Sequence, residues 1–347
     1  MTNDRDRREF GRRRPNVREV AALAEVAISS VSRVLSGHPD VSPEMRERVL
    51  DAVAQLEYEP DFLAQSLRRG QTLSVGFVLP DISNPLMADI VLGAEAVLRA
   101  AGYSLLLMNS ENDASLDGAH VRFLHSRRVD GMILSLVTET DPRTLDVLRA
   151  VDVPLVVVDR EIDPSIRASA VYNDHAIGMS RAVGHLIECG HRRIALMTGA
   201  VYTLPARQRM KAMQRVLAEA PGVEGIYRPG SFSAEHGEIA TRELLALPER
   251  PTAIVSGGNQ LLIGCLKVLQ EQGIEVGRDI SVVTCDDVPL SNLHRPPIAS
   301  VSRDTVALGR TAAELLLKRL SGSHEPETVI LPTTYSPRAS VAPPPGG

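Results

Sequence analysis

Val20-Ala21-Ala22-Leu23-Ala24-Glu25-Val26-Ala27-Ile28-Ser29-Ser30-Val31-Ser32-Arg33-Val34-Leu35 is the stretch that decides how the front of this chain is read. Two apolar-periodic runs are joined by about three residues, the geometry of a helix-turn-helix whose second helix enters a major groove. The second run is small and polar on one face. Ser29, Ser30 and Ser32 are short enough to approach phosphates and base edges, Ile28 can touch a thymine methyl, and Arg33 can reach guanine O6 and N7 together. An ordinary αα-hairpin shares the pattern, so the flanks matter. Upstream, Asn16 followed by Glu19 forms a capping box. Downstream, Ser42-Pro43 opens a third helix with the stripe Met45, Val49, Ala52 and Leu56. Three short helices over 16–60 predict a mini-domain.

On its far side stands Tyr58-Glu59-Pro60-Asp61-Phe62-Leu63-Ala64-Gln65-Ser66-Leu67-Arg68-Arg69-Gly70. Pro60 stops the third helix, Asp61 can cap another and Gly70 ends it. A helix that short is marginal alone. Ala64 and Leu67 share a face with Arg68 beside them, which suits a hinge helix over 61–70 that orders on DNA and wedges Leu67 into the minor groove. A solvated linker is the alternative. Residues 1–15 hold six Arg and no periodicity, and read as a disordered basic arm.

At 347 residues with 44% apolar content, the chain has enough for about two ordinary domains with real cores. Its longest apolar runs, such as 105–108 and 155–158, are far shorter than the roughly 20 residues of a membrane helix. The arginines of the arm precede no apolar run, so a secretory signal is not expected and a cytoplasmic location is. Cys189, Cys265 and Cys285 lie far apart without a Cys-x-x-Cys pair, which fits a reducing compartment and not a zinc site. The net charge of −5 gives nucleic-acid binding no help from the bulk field. The first 70 residues balance twelve basic against twelve acidic groups, so any DNA contact rests on the placement of a few arginines.

From residue 73 the pattern changes to strands alternating with amphipathic helices. Strand-like runs occur at 73–79, 104–108, 131–134, 155–158, 194–197, 253–255 and 281–283, with helical stretches such as 85–101 and 175–189 between them. This alternation predicts βαβ units and parallel sheets. A break at 159–168 divides the series, predicting two α/β lobes with a ligand cleft between them.

The order of motifs resembles the lactose-repressor family of bacterial transcription regulators over about residues 16–340. The helix-turn-helix and the 58–67 segment carry part of the likeness. The rest lies in Val75-Gly76-Phe77-Val78-Leu79-Pro80-Asp81-Ile82-Ser83-Asn84-Pro85, Gly190-His191-Arg192-Arg193-Ile194-Ala195 and Asp279-Ile280-Ser281-Val282-Val283 with Asp286-Asp287. The resemblance implies a helical headpiece and hinge helix joined to a periplasmic-binding-protein-like core over 71–340. It also implies a homodimer on a palindromic operator and a small-molecule effector in the cleft. Lobe one is expected at 71–171 with 304–330, lobe two at 172–302 with 331–340, and a disordered tail at 341–347. That tail lacks heptads, so a dimer is expected.

Departures from the family pattern are informative. Glu25 stands where a turn Gly is usual, at a cost of about 1 kcal/mol if the backbone is left-handed. Ala27 replaces the usual Ser cap of the second helix, Ile28 and Ser29 fill the operator-choosing positions, and Asp61 replaces a common Asn. By matching, Asp81, Asn84, Asp159, Arg209 and Asp286 fall on pocket positions, with Arg207 near Arg209. Leu86 and Met87 replace aromatic residues, which weakens a sugar as ligand unless Tyr202 compensates. Asn259 keeps part of an Asn-Asp pair, and Arg303 stands for a common Gln. Arg209 with Arg303 suits a clamp on a carboxylate or phosphate; an interlobe ion pair is the alternative for Arg303.

Enzyme readings find little support. No nucleotide-binding glycine fingerprint, nucleophile elbow or zinc-protease motif is present. Cys189 and His191, two apart at a helix end, do not face each other. Asp286 and Asp287 are expected to split between pocket and helix cap. His120, His125, His175, His185 and His236 show no ligand spacing, and neither cofactor nor metal is expected. A solute-binding protein and a cytoplasmic α/β enzyme with an appended helical domain are the rival readings.

Overall fold

Asn16 starts the first helix by the device its sequence announces: its side chain accepts from the amides of Arg18 and Glu19, and Glu19 accepts from the Asn16 amide at 2.8 Å. The computed structural model describes residues 15–58 and 70–345, and the chain divides into two units between Thr72 and Leu73. In the first unit, α1 (Val17–Leu23), α2 (Ile28–Leu35) and α3 (Pro43–Gln55) close around Val20, Val31 and Val49, which are fully buried. Ser42 caps α3 and Pro43 occupies its first turn. Glu25 adopts a left-handed φ of 53° in the turn, and Ala27 precedes α2 without a side-chain cap. Both sequence departures therefore fall at strained or under-capped points. The hinge segment expected at 61–70 lies, but for Gly70, outside the described residues.

The second unit contains two six-stranded sheets. In chain order it runs β1 (Ser74–Leu79), α4 (Pro85–Ala100), β2 (Ser104–Asn109), α5 (Ala114–Ser126), β3 (Gly131–Leu134), α6 (Pro142–Ala150), β4 (Leu155–Val158) and β5 (Ala168–Asp174). Then follow α7 (His175–Glu188), β6 (Arg193–Thr198), α8 (Leu204–Ala218), β7 (Glu224–Pro229), α9 (Ala234–Leu245), β8 (Ala253–Ser256), α10 (Asn259–Glu271) and β9 (Ser281–Cys285). The last elements are α11 (Pro289–Leu293), β10 (Ala299–Ser302), α12 (Thr305–Leu320), β11 (Thr328–Pro332) and β12 (Thr334–Ser336). The first sheet has the order β11-β5-β4-β3-β1-β2, the second β12-β10-β9-β8-β6-β7. All pairs are parallel except the edge pair β10 and β12. Central strands such as Leu155–Val158 are apolar throughout because helices cover both faces.

The chain passes between the sheets three times: at Asp174 and His175, at Arg303 and Asp304, and at Thr333. Thr333 ties two of these passages, accepting from the Gly178 amide and donating to the Asp174 carbonyl. Helix α12 returns to the first lobe, where Gly309 lets it approach α4; a Cβ there would lie 1.8 Å from the Ile90 carbonyl oxygen.

Five strands were not among the expected runs: β5, β7, β10, β11 and β12. β7 is an edge strand of mixed polarity and β10 is made of small residues, so neither shows an apolar run. The first lobe accordingly extends past residue 171 to Asp174, and β11 extends to Pro332. The tail expected to be disordered from 341 is instead tied into the second lobe. Val341 packs against that lobe's core, the Ala342 amide donates to Ser281 Oγ, and the Ala342 carbonyl faces His191 Nε2 at 3.0 Å. The same nitrogen lies 2.9 Å from Ser281 Oγ, so the carbonyl adds a second partner for the buried His191. Among the described residues no helix is long and apolar enough to cross a membrane.

Candidate functional site

Helix α2 buries Val31 and Val34 and turns Ile28, Ser29, Ser32 and Arg33 to its other side, since these four fall within one helical face. Ile28, Ser29 and Arg33 are exposed; Ser30 and Ser32 are half-buried. Arg33 lies 3.8 Å from Asp40 on an exposed surface, an ion pair too weak to hold it back from another anion. The face thus offers short hydroxyls, one methyl-bearing side chain and one guanidinium. Ala64, Leu67 and Arg68 lie outside the described residues.

In the second unit a cleft of about 240 Å³ opens between the lobes, lined by residues at the carboxyl ends of the strands. Asp81, Asn84, Leu86 and Met87 follow β1, Asp159 follows β4, Tyr202 and Arg209 follow β6, Asn259 follows β8, Asp286 follows β9 and Arg303 follows β10. All of these were candidates from sequence. Asp159 and Asp286 both sit at positive φ, 48° and 80°, so strand ends in a strained conformation aim the two carboxylates. Asn259 Nδ2 donates across the cleft to Asn84 Oδ1 at 3.0 Å.

The charges on the cleft floor neutralise one another. Arg303 pairs with Asp159 of the first lobe and donates through Nε to Asp286 of the second at 2.8 Å. Burial opposes ionisation of Asp159, but Arg303 and His175 outweigh it and hold its pKa well below the carboxylate range. Arg209 rests over the Phe232 ring at 5.8 Å, donates to the Gly257 carbonyl and lies 3.9 Å from Asp286. His175, fully buried 3.7 Å from Asp159, has its pKa lowered to about 4 by burial and by Arg209, so it is neutral at pH 7.

Two carboxylates hold Arg303 as an interlobe ion pair, the alternative expected for it beside the clamp with Arg209. One expectation is corrected here: Arg207 does not line the cleft. It points to lobe one, pairing with Glu139 at 2.8 Å and Glu161 at 2.8 Å. Two residues apart on a helix, Arg207 and Arg209 are rotated by about 200° and necessarily face different surroundings.

The reading of the sequence missed Phe232, Ser135 and Arg160, all of which line the cleft. Phe232 supplies the aromatic ring that Leu86 and Met87 do not; it lies against Gly199, where a Cβ would fall 2.1 Å from the ring. Ser135 directly follows β3, and Arg160 and Phe232 come two and three residues after β4 and β7, so nearness to a strand end is the signal that marks them. Arg160 is tied to the carbonyls of Leu136 and Asp159 and shapes the wall. Ser135 Oγ and Arg209 Nε are buried without a hydrogen-bond partner. Asp287 turns away from the cleft to the side chains of Arg338 and Ser291, so the Asp pair splits, but the cap position of α11 is Val288 and not Asp287. Cys189 meets His185 at 3.6 Å rather than His191, and burial raises its pKa, the opposite of an activated thiolate.

Residues 16–61 match the model of bacterial regulatory proteins, lacI family, and residues 183–341 match that of periplasmic binding protein-like domains. The chain is 30% identical over 329 residues to a ribose operon repressor of Haemophilus influenzae, covering 94% of this chain and 98% of that one. The chain belongs to the lacI family. A lacI-family repressor of Escherichia coli strain K12, named for the ribose operon, is 33% identical over 88% of this chain and 93% of its own. Among solved structures, a lac repressor dimer bound to operator and the anti-inducer ONPF superposes with a TM-score of 0.85 at 27% identity, covering 95% of this chain and all of that one. A complex of the regulator CelR with cellobiose gives 0.70 at 32% identity, covering 94% and 100%. This lacI-family protein is a DNA-binding transcriptional repressor whose periplasmic-binding-protein-like core takes an effector, and regulators of the family are not enzymes.

Proposed function

We propose that the effector is an uncharged, hydroxyl-rich molecule of monosaccharide size, and that the protein acts as a cytoplasmic homodimer on a palindromic operator. One observation carries the ligand class: the cleft floor is already neutral, Arg303 and Arg209 standing against Asp159 and Asp286, while Ser135 Oγ and Arg209 Nε remain unpaired. An anionic ligand would upset that balance, whereas hydroxyl groups satisfy orphaned donors and acceptors without importing charge. Phe232 offers a ring against which the apolar face of a sugar packs. The cavity of about 240 Å³ falls just under the usual ligand range of about 300–1,000 Å³ and limits the occupant's size. Some relatives point to sugars, being named for the ribose operon or solved with ribose or the disaccharide cellobiose, while others of equal similarity are named PurR repressors.

Within the cleft, Asp81, Asn84, Asp159, Arg209, Asn259 and Asp286 serve as hydrogen-bonding groups, Leu86, Met87, Tyr202 and Phe232 as walls, and Arg303 as the internal counter-ion. On DNA, Ile28, Ser29, Ser30, Ser32 and Arg33 contact the major groove, with Ala64, Leu67 and Arg68 of the hinge in the minor groove. Calorimetry with D-ribose and other neutral monosaccharides, beside their phosphorylated forms, tests the ligand class. Binding of a neutral sugar at least ten-fold tighter than its phosphate supports it; the reverse order refutes it.

A further inference from the structure

Arg207, which the cleft does not use, ties the two lobes from helix α8, one residue before Gln208, whose side chain accepts from the amide of His175 at a chain crossover. Glu139 stands in the segment after β3 of the first lobe, its side chain 3% exposed. Helix α8 has Thr203 at its cap position with no side-chain cap, and its first-turn amide at Leu204 donates instead to Glu139 Oε1 at 2.6 Å. The opposite lobe thus supplies the missing cap, and a carboxylate at a helix N-terminus is favoured by the exposed amides there. Arg207 Nη1 holds the other carboxylate oxygen, and Nη2 reaches Glu161.

Glu139 does not dangle from a mobile loop. The Val137 amide donates to Asp117 Oδ2 at 2.8 Å, and Arg160 grips the Leu136 carbonyl, so the segment carrying Glu139 is braced from behind. That segment also brings Ser135 and Val137 to the cleft, and α8 brings Arg209.

We propose that Glu139, Arg207 and Glu161 form an interlobe latch that sets how far the core closes when the cleft is empty. The latch and the Arg303 ion pair are separate ties between the lobes, and the latch is the more solvated of the two. An effector that changes lobe closure acts against this latch, since a ligand shifts such an equilibrium only by its differential affinity for the two forms. The latch requires nothing of the effector's identity.

The test measures closure at a distant point. Asn84 and Asn259 touch across the cleft, so the full-length Asn84→Cys/Asn259→Cys protein, treated with a short bifunctional thiol reagent and analysed by peptide mass spectrometry, reports how often the lobes meet there. With no ligand added, Arg207→Ala and Glu139→Gln in that background are expected to slow crosslinking by roughly three- to ten-fold, and Arg207→Lys to restore part of the rate. Glu161→Gln, at a largely exposed carboxylate that no folding step depends on, is expected to give a smaller slowing and serves if Glu139→Gln fails to fold. Unchanged crosslinking in folded Arg207→Ala and Glu161→Gln proteins would show a local contact only and overturn the latch.

Discussion

Arg303 and Arg207 both bridge the lobes, yet they occupy opposite physical regimes. Arg303 is nearly buried between two buried carboxylates, whereas Arg207 keeps about a quarter of its side chain in solvent and divides itself between buried Glu139 and largely exposed Glu161. Burial makes the first tie costly to break, because a removed partner leaves uncompensated charge where water cannot reach. Solvent makes the Glu161 half of the second tie adjustable. The lobes are therefore held by one tie that is costly to break and one that yields in part.

The largest effect expected from this contrast is at Arg303. Replacing it with Met strands Asp159 and Asp286 and is expected to destabilise the core by about 3–5 kcal/mol in urea unfolding. A loss of under about 1 kcal/mol would place Arg303 in the same class as a surface ion pair.

His175 gives the next. Its folded pKa of about 4 lies below the ordinary 6.5, so between these values the unfolded chain binds a proton that the folded chain refuses. Stability is then fully present above pH 6.5 and falls as pH drops toward 4, by an amount on the order of 1–3 kcal/mol. His175→Gln is expected to flatten that slope in pH-dependent thermal unfolding, while Arg207→Ala leaves it in place. An equal slope in wild type and His175→Gln would remove the histidine from the account.

Arg207 gives the smallest change in stability. Arg207→Ala leaves buried Glu139 without its guanidinium but still held by the Leu204 amide, and is expected to cost about 1–2 kcal/mol in the same unfolding experiment. A loss as large as that of Arg303→Met would erase the distinction between the two ties.

Sequence reading reached some of this and not the rest, for reasons that individual residues make plain. Capping is local, so the bonds of Asn16 with Glu19 and of Ser42 with the α3 amides were legible from neighbours in the chain. Strand ends were legible too, because continuous apolar runs stop where the cleft begins, and the family likeness then picked Asp81, Asp159, Arg209 and Asp286. Pairing was not. Arg303 and Asp159 lie 144 residues apart, and no pattern in either segment reveals the other. Arg207 was misplaced because matching gives a position on the chain but not the turn of the helix that aims it. Phe232 follows β7, an edge strand whose mixed burial hid both the strand and the ring behind it.

The central claim is that a neutral ligand held by Arg209 in this cleft governs operator binding. The direct measurement is operator affinity of the full-length protein, by fluorescence anisotropy, with and without the neutral sugar that calorimetry identifies, for wild type and Arg209→Met. The account predicts that the sugar shifts wild-type affinity by about 5- to 150-fold, and that Arg209→Met binds operator within about five-fold of wild type but no longer responds. A folded Arg209→Met protein that responds to the sugar as wild type does would contradict it.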